Sequence, residues 1–220
     1  SQLFRNFWVS ALPDDERMKH PLLDFLGVRF VLSTTELEHA GKRVGPEWRG
    51  PQGEFFVYER ESAMPRAFVV PAATTFASEP EVIAAMVAPE FDPKAAVLLA
   101  RDQLTEEQAS ALGSAPRTPD PLAAQRTVRF IRDNPADVLL EVDEGAPGYL
   151  VLTDTLMSGW SATVNGETTS ILRGNLFVRA VPIPGHAVQV RFAYETPRLV
   201  TGAVVAIVTG GIMLLLLLSY

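Results

Sequence analysis

Apolar and polar positions change their rhythm twice along this chain, and each change marks a different kind of structure. Val188, Val190, Phe192 and Tyr194 alternate with Ala187, Gln189, Arg191 and Ala193, as in a strand with one buried face. Six more strand candidates precede this one at short spacing: Val128 to Arg132, Asp137 to Val142, Tyr149 to Thr155, Trp160 to Val164, Thr168 to Arg173 and Leu176 to Val181. Asn165-Gly166 between two of them predicts a type I′ hairpin, because both residues tolerate positive φ. Gly174-Asn175 and Pro184-Gly185 predict the next two turns. Seven short strands joined by tight turns point to a β-sandwich, jelly-roll-like, over residues 126–196.

The first half reads differently. His20 to Gly27 predicts a short helix with Pro21 at its start and Gly27 at its close. Val28 to Ser33, Glu54 to Glu59, Ala67 to Val70 and Ala96 to Ala100 predict strands. Two helices are announced by capping boxes, Ser78 to Glu81 before Val82–Val87 and Thr105 to Gln108 before Ala109–Leu112. In each, a hydroxyl is followed three residues later by a side chain that can bond back to the cap. The Pro-rich stretch 113–125 has no apolar period and predicts a linker. The expected organisation is α+β: a mixed α/β region over 1–112, the linker, and the sandwich.

The second change of rhythm comes at Leu199. From there to Leu218 the chain has no charge and is nearly all Val, Ile, Leu, Ala and Gly. Twenty such residues, at about 1.5 Å each, match the roughly 30 Å hydrocarbon layer of a bilayer. Residues 198–220 are therefore expected to form a transmembrane helix. Ser1 at one end and Tyr220 directly after the apolar run suggest that both ends are cut from something longer.

Charge and composition remove several functions. The formal balance is -7, and every charge lies before Leu199. An acidic chain without a basic run repels phosphate backbones, which argues against nucleic acid as a partner. There are no cysteines, so disulfides, thiolate nucleophiles and zinc–thiolate sites are excluded. His20, His39 and His186 are scattered without ligand spacing, and no metal or other cofactor is expected.

Two groupings carry candidate chemistry. Asp154 with Trp160 pairs a carboxylate with an aromatic face, the combination that holds sugars. The competing reading is that Trp160, which shares a strand face with Ala162 and Val164, plugs the core while Asp154 bonds turn amides. Arg173 and Arg179 flank the Gly174-Asn175 turn, where they could meet a phosphate or pair with local carboxylates such as Glu167. Pro65-Arg66 invites the same comment, and Tyr149 joins the candidate binding residues. No arrangement of nucleophile and base, no phosphate-cradling glycine loop and no facing pair of carboxylates emerges, so no catalytic residue is expected.

Several segments, in order, resemble one family. Leu23 to Leu32, Val57-Tyr58-Glu59 with Met64-Pro65-Arg66-Ala67-Phe68, and Phe91-Asp92-Pro93 come first. Asp154, Gly159-Trp160, Val164-Asn165-Gly166, Arg173-Gly174-Asn175, Phe177 to Val181, Pro184-Gly185-His186 and Val190 to Tyr194 follow. This sequence is similar to the C-terminal extracytoplasmic region of YfhO-family bacterial membrane proteins. It departs from their pattern at Leu156-Met157-Ser158, where an aromatic pair and Pro are usual, and at Leu176, where an aromatic is usual. The resemblance implies a multi-spanning relative of GT-C glycosyltransferases, which take sugar from a polyprenyl-phosphate donor outside the bacterial cell membrane. It implies a covering or substrate-positioning role in glycosylating envelope polysaccharide or teichoic acid, with the catalytic carboxylate elsewhere in the parent protein. The other expectation is a non-enzymatic, membrane-anchored sandwich that binds envelope glycan or a partner protein.

Overall fold

The run Gly148 to Leu152 is apolar at successive positions rather than alternate ones, and such a strand needs cover on both faces. The computed structural model describes residues 18–45, 48–50, 53–113 and 120–196, with 207–209, 212–213 and 217–218 near the C-terminus. In it, that run opens strand β10 (Gly148–Thr155) of a four-stranded sheet. The sheet order is β13 (Leu172–Gly174), β14 (Val178–Ile183), β10 and β5 (Ala67–Val70), with every pairing antiparallel.

One face of this sheet packs on a five-stranded sheet of order β12 (Glu167–Thr169), β11 (Trp160–Val164), β15 (Val188–Tyr194), β9 (Asp137–Val142) and β8 (Val128–Asn134). Leu150, Leu152, Val69 and Val181 from the first sheet meet Leu140, Val190 and Phe192 from the second in one core. The opposite face, with Tyr149, Val151, Phe68 and Val178, meets a layer drawn from the first half of the chain. That layer contains helix α1 (Pro21–Phe25), helix α2 (Glu79–Val87) and β7 (Ala96–Ala100), which pairs in parallel with β6 (Ala72–Phe76). Helix α3 (Glu106–Gly113) follows β7. A smaller sheet is built on β4 (Gly53–Glu59), with β1 (Phe30–Ser33), β2 (Lys42–Arg43) and β3 (Trp48–Gly50) against it.

The fold is therefore α+β with several antiparallel sheets, as the sequence implied, but the chain does not divide its cores at 113–125. Strand β5 from the first half completes the sheet of the second, with Ala67 to Val70 in register with Leu152 to Tyr149. Gly148 lies so close to β5 that a Cβ would come within 2.5 Å of the Val70 carbonyl oxygen. The expected strand Thr168 to Arg173 is also divided. Its start, β12, belongs to the outer sheet, and its end, β13, belongs to the central one. Residues 114–119, the middle of the expected linker, lie outside the described residues.

The local signals act as their chemistry dictates. Asn165 and Gly166 have φ of 51° and 84°, as a type I′ turn requires. In the box before α3, the Thr105 amide donates to Gln108 Oε1 at 2.9 Å and the Gln108 amide to Thr105 Oγ1 at 3.2 Å. Before α2 the box is incomplete: Glu81 reaches back to the Ala77 amide at 3.1 Å, and Ser78 caps no amide. His20 caps α1 instead, accepting from the Leu22 amide on Nδ1 at 3.2 Å.

Most of the expected transmembrane segment 198–220 lies outside the described residues, and among the described residues no helix is long and apolar enough to cross a membrane. Its described positions are helical, and Ile207, Val208, Ile212, Met213, Leu217 and Leu218 are all exposed. None of them belongs to either core.

Because β10 is shared by both cores, Leu150→Ala should cost about 2–5 kcal/mol and shift one cooperative transition rather than one of two. Chemical denaturation followed by far- and near-ultraviolet circular dichroism tests this. Two separated midpoints would show that the halves unfold independently.

Candidate functional site

Three of the sequence-predicted residues, Asp154, Trp160 and Arg179, converge at the end of the two facing sheets where β15 finishes. Alternation along β14 turns Arg179 to the same face as Val181 and Ile183, into the space between the sheets. Alternation along β11 does the same for Trp160, as the sequence implied. Asp154 owes its position to an irregularity in register between Leu152 and Thr155, a bulge that re-aims a side chain. A second irregularity, in β8 between Phe130 and Arg132, lies across from it.

The centre of the cluster is a residue from the first half of the chain. Arg66 donates to Asp154 through Nε and Nη2, both at 2.7 Å, and through Nη1 to both Asp133 oxygens at 2.8 Å. Such forked contacts are the strong form of an arginine–carboxylate pair. The hydrogen bonds it donates to Asp154, partly offset by desolvation, hold the Arg66 guanidinium charged well beyond its ordinary range. Its guanidinium carbon also lies 5.3 Å from the Phe130 ring centre.

Arg179 is only 4 % exposed, and its Nη1 stands 3.7 Å from Asp154 Oδ2. Its guanidinium carbon sits 3.5 Å above the Trp160 ring, a cation–π contact. Nη2 donates to the Thr155 carbonyl at 3.1 Å, while Nε and Nη1, like Trp160 Nε1, are buried without a hydrogen-bond partner among the described residues. Burial lowers the Arg179 pKa, and Asp154 opposes that shift. Tyr194 packs beside Trp160, ring centres 5.3 Å apart.

This geometry limits the chemistry. Both Asp154 oxygens are engaged by Arg66, so Asp154 does not stand ready as a base. Asp154 bonds arginines rather than the turn amides considered from sequence. The Trp160 face that could have stacked on a sugar is covered by Arg179.

The other two candidates lie elsewhere. Arg173 donates to Glu79 Oε1 at 2.7 Å and approaches Gln103 Oε1 at 3.4 Å, so its partner is Glu79 on α2 and not Glu167. Tyr149 points to the opposite face of β10 and lines a separate cavity beside α3. Burial raises its hydroxyl pKa. Sequence reasoning gave Arg66 little weight and missed Asp133. Only the Pro65-Arg66 step hinted at the first, and nothing local pointed to the second. Among the described residues no three His, Asp or Glu side chains are placed to hold a metal ion.

Compared with protein-family models, curated proteins and solved structures, the chain matches none.

Removing Asp154 leaves Arg179 buried without its counter-ion, a loss that costs about 3–5 kcal/mol when a pair is fully buried. Asp154 is one-quarter exposed, so Asp154→Ala should fall at the lower end of that range. Asp154→Ala with Arg179→Met should recover most of the loss in a double-mutant denaturation cycle; strictly additive losses would show that the two do not interact. Tyr149 supplies a pH effect. Its folded pKa is raised above the ordinary 10.0, so its contribution is full below pH 10 and is lost as pH rises through the folded value. Tyr149→Phe should flatten the alkaline limb of a stability–pH profile.

Proposed function

We propose that this chain is the extracytoplasmic part of a polytopic, glycosyltransferase-like protein of the bacterial cell membrane. On this reading residues 199–218 cross the bilayer as a helix, and the α+β body, with its jelly-roll-like sandwich, stands on the outer face. The body covers the membrane-embedded active site, or positions a polyprenyl-phosphate sugar against the envelope polysaccharide or teichoic acid that accepts it. It contributes no catalytic residue.

The observation that carries the reading is the exposure of Ile207, Val208, Ile212, Met213, Leu217 and Leu218. Large apolar side chains on helical residues, outside both cores, need a solvent other than water, and lipid supplies one. The ordered resemblance to YfhO-family segments supports the enzyme class. The pairing of Asp154 with two arginines supports a positioning role over a chemical one. Proximity is built in as well. Only residues 195–198 separate β15 from Leu199, a reach of no more than about 18 Å, so the Arg66–Asp154–Arg179 end lies near the lipid surface.

An arginine at the middle of a spanning helix costs roughly 2.5–3.5 kcal/mol on insertion. The expressed chain should therefore remain in membranes through an alkaline carbonate wash, and Val208→Arg should shift a large fraction to the supernatant. Equal release of both would contradict the membrane assignment. For the enzyme class, deletion of this region from the intact parent protein should abolish sugar transfer, and unchanged transfer would contradict the positioning role.

A further inference from the structure

The cavity beside α3 encloses about 190 Å³ between Glu107, Leu112, Tyr149, Thr168, Thr169, Ser170, Leu172 and Pro182, with Gln108 on its wall. Its shape is set by the α3 capping box. Gln108, already bonded to the Thr105 amide through Oε1, donates through Nε2 to the Ile171 carbonyl at 3.0 Å. The helix is thereby tied to the segment between β12 and β13, and the space between them is held open.

Several polar side chains along this space make no bond within the protein among the described residues. Tyr149 is 5 % exposed, yet its hydroxyl meets no partner among the described residues, and desolvation alone accounts for its raised pKa. The hydroxyls of Thr168, Thr169 and Ser170 and the Glu107 carboxylate also take part in no described hydrogen bond or ion pair. None of these oxygens is among the buried atoms left without a partner, and Thr168 and Glu107 are exposed, so they open to solvent along the cavity. A ligand that displaces water from them must return its hydrogen bonds.

We infer that this cavity is a binding site for a single neutral, polyhydroxylated six-membered ring, a monosaccharide unit or a cyclic polyol. Hydroxyl-bearing residues that both donate and accept line the space and match a ligand whose own hydroxyls do the same, and the Glu107 carboxylate at the rim adds an acceptor. Leu112, Leu172 and Pro182 give the C–H faces of the ring an apolar bed. No Lys, Arg or His lines the space, so a phosphate or carboxylate would find no counter-charge and would meet Glu107. The volume is below the roughly 300–1,000 Å³ usual for drug-sized ligands, which suits one ring and not two. The site rests on the cavity alone and stands apart from the Asp154 cluster and from the membrane assignment.

The test uses the full 220-residue chain in an amine-oxide detergent, whose headgroup carries no sugar to compete. Glucose, N-acetylglucosamine and myo-inositol are titrated, with inorganic phosphate and acetate as anionic comparisons, and backbone amide shifts are followed by nuclear magnetic resonance. At least one neutral ring should give saturable shifts confined to Glu107–Leu112, Tyr149 and Thr168–Leu172. Tyr149→Phe, which keeps the ring and removes the hydroxyl, should weaken that binding roughly fivefold to tenfold, and Thr169→Val should weaken it similarly. Two outcomes would overturn the inference: no saturable shift with any of the three rings, or binding that is unchanged in both variants. Saturable shifts at the same residues from phosphate or acetate alone would overturn it too. Glu107→Gln, on the exposed rim, keeps the test valid should Thr169→Val unfold.

Discussion

The constraint on which the rest of this molecule depends is that the first five residues of β10, Gly148 to Leu152, have no polar face. Leu150 and Leu152 point one way, Tyr149 and Val151 the other, and all four are buried. Each such side chain gains about 1.5–3 kcal/mol from complete burial, but only if a layer exists on its side. The outer sheet supplies one layer. The other can come only from the first half of the chain, through α1, α2 and β7. The central sheet also takes one of its own strands, β5, from that half. A chain whose middle strand needs both partners folds its two halves on one another.

Two facing sheets leave two open ends, and each is closed by a buried arginine. At one end Arg126 donates to the carbonyls of Asp143, Ala146, Pro184 and His186, at 2.6 to 3.2 Å. The loops it joins come so close that a Cβ on Gly185 would lie 2.6 Å from the Gly145 carbonyl oxygen. At the other end Arg179 has one carbonyl, one carboxylate at a distance and the face of Trp160. Arg126 makes its hydrogen bonds with backbone alone, so that end is structural in character. Arg179 depends on Asp154, which depends on Arg66 and through it on Asp133. Four charged side chains from β8, β10, β14 and the approach to β5 form a chain of mutual neutralisation, and its value lies in position more than in reactivity.

How much of this was legible follows from the range of each interaction. The alternation of β15, the Asn165-Gly166 turn and the Thr105–Gln108 box are contained within a few residues, and each formed where expected. The inward face of Trp160 followed from strand periodicity. What covers that face did not, because Arg179 reaches it from another sheet. Strand β6, Ala72 to Phe76, carries no alternation and is recognisable only beside its parallel partner β7. The contact between Arg66 and Asp154 spans 88 positions, and Asp154 is aimed by a bulge that no residue type announces. Tyr149 carries no local sign of the cavity it lines. Its cavity exists only once α3 and the β12–β13 segment are brought together by Gln108.

The placement of that cavity relative to the exit of the chain bears on what the molecule handles. Strand β15 ends beside the 156–159 loop, where the Glu195 amide donates to the Gly159 carbonyl at 2.9 Å. Strand β10 begins at the opposite end of the stack, and Tyr149 lies six residues from Thr155, about 20 Å along the strand. If residues 199–218 enter the bilayer, the arginine-rich end is held at the lipid surface and the hydroxyl-lined cavity is held away from it. The length of β10 is the strut that sets the distance between these two ends of the molecule.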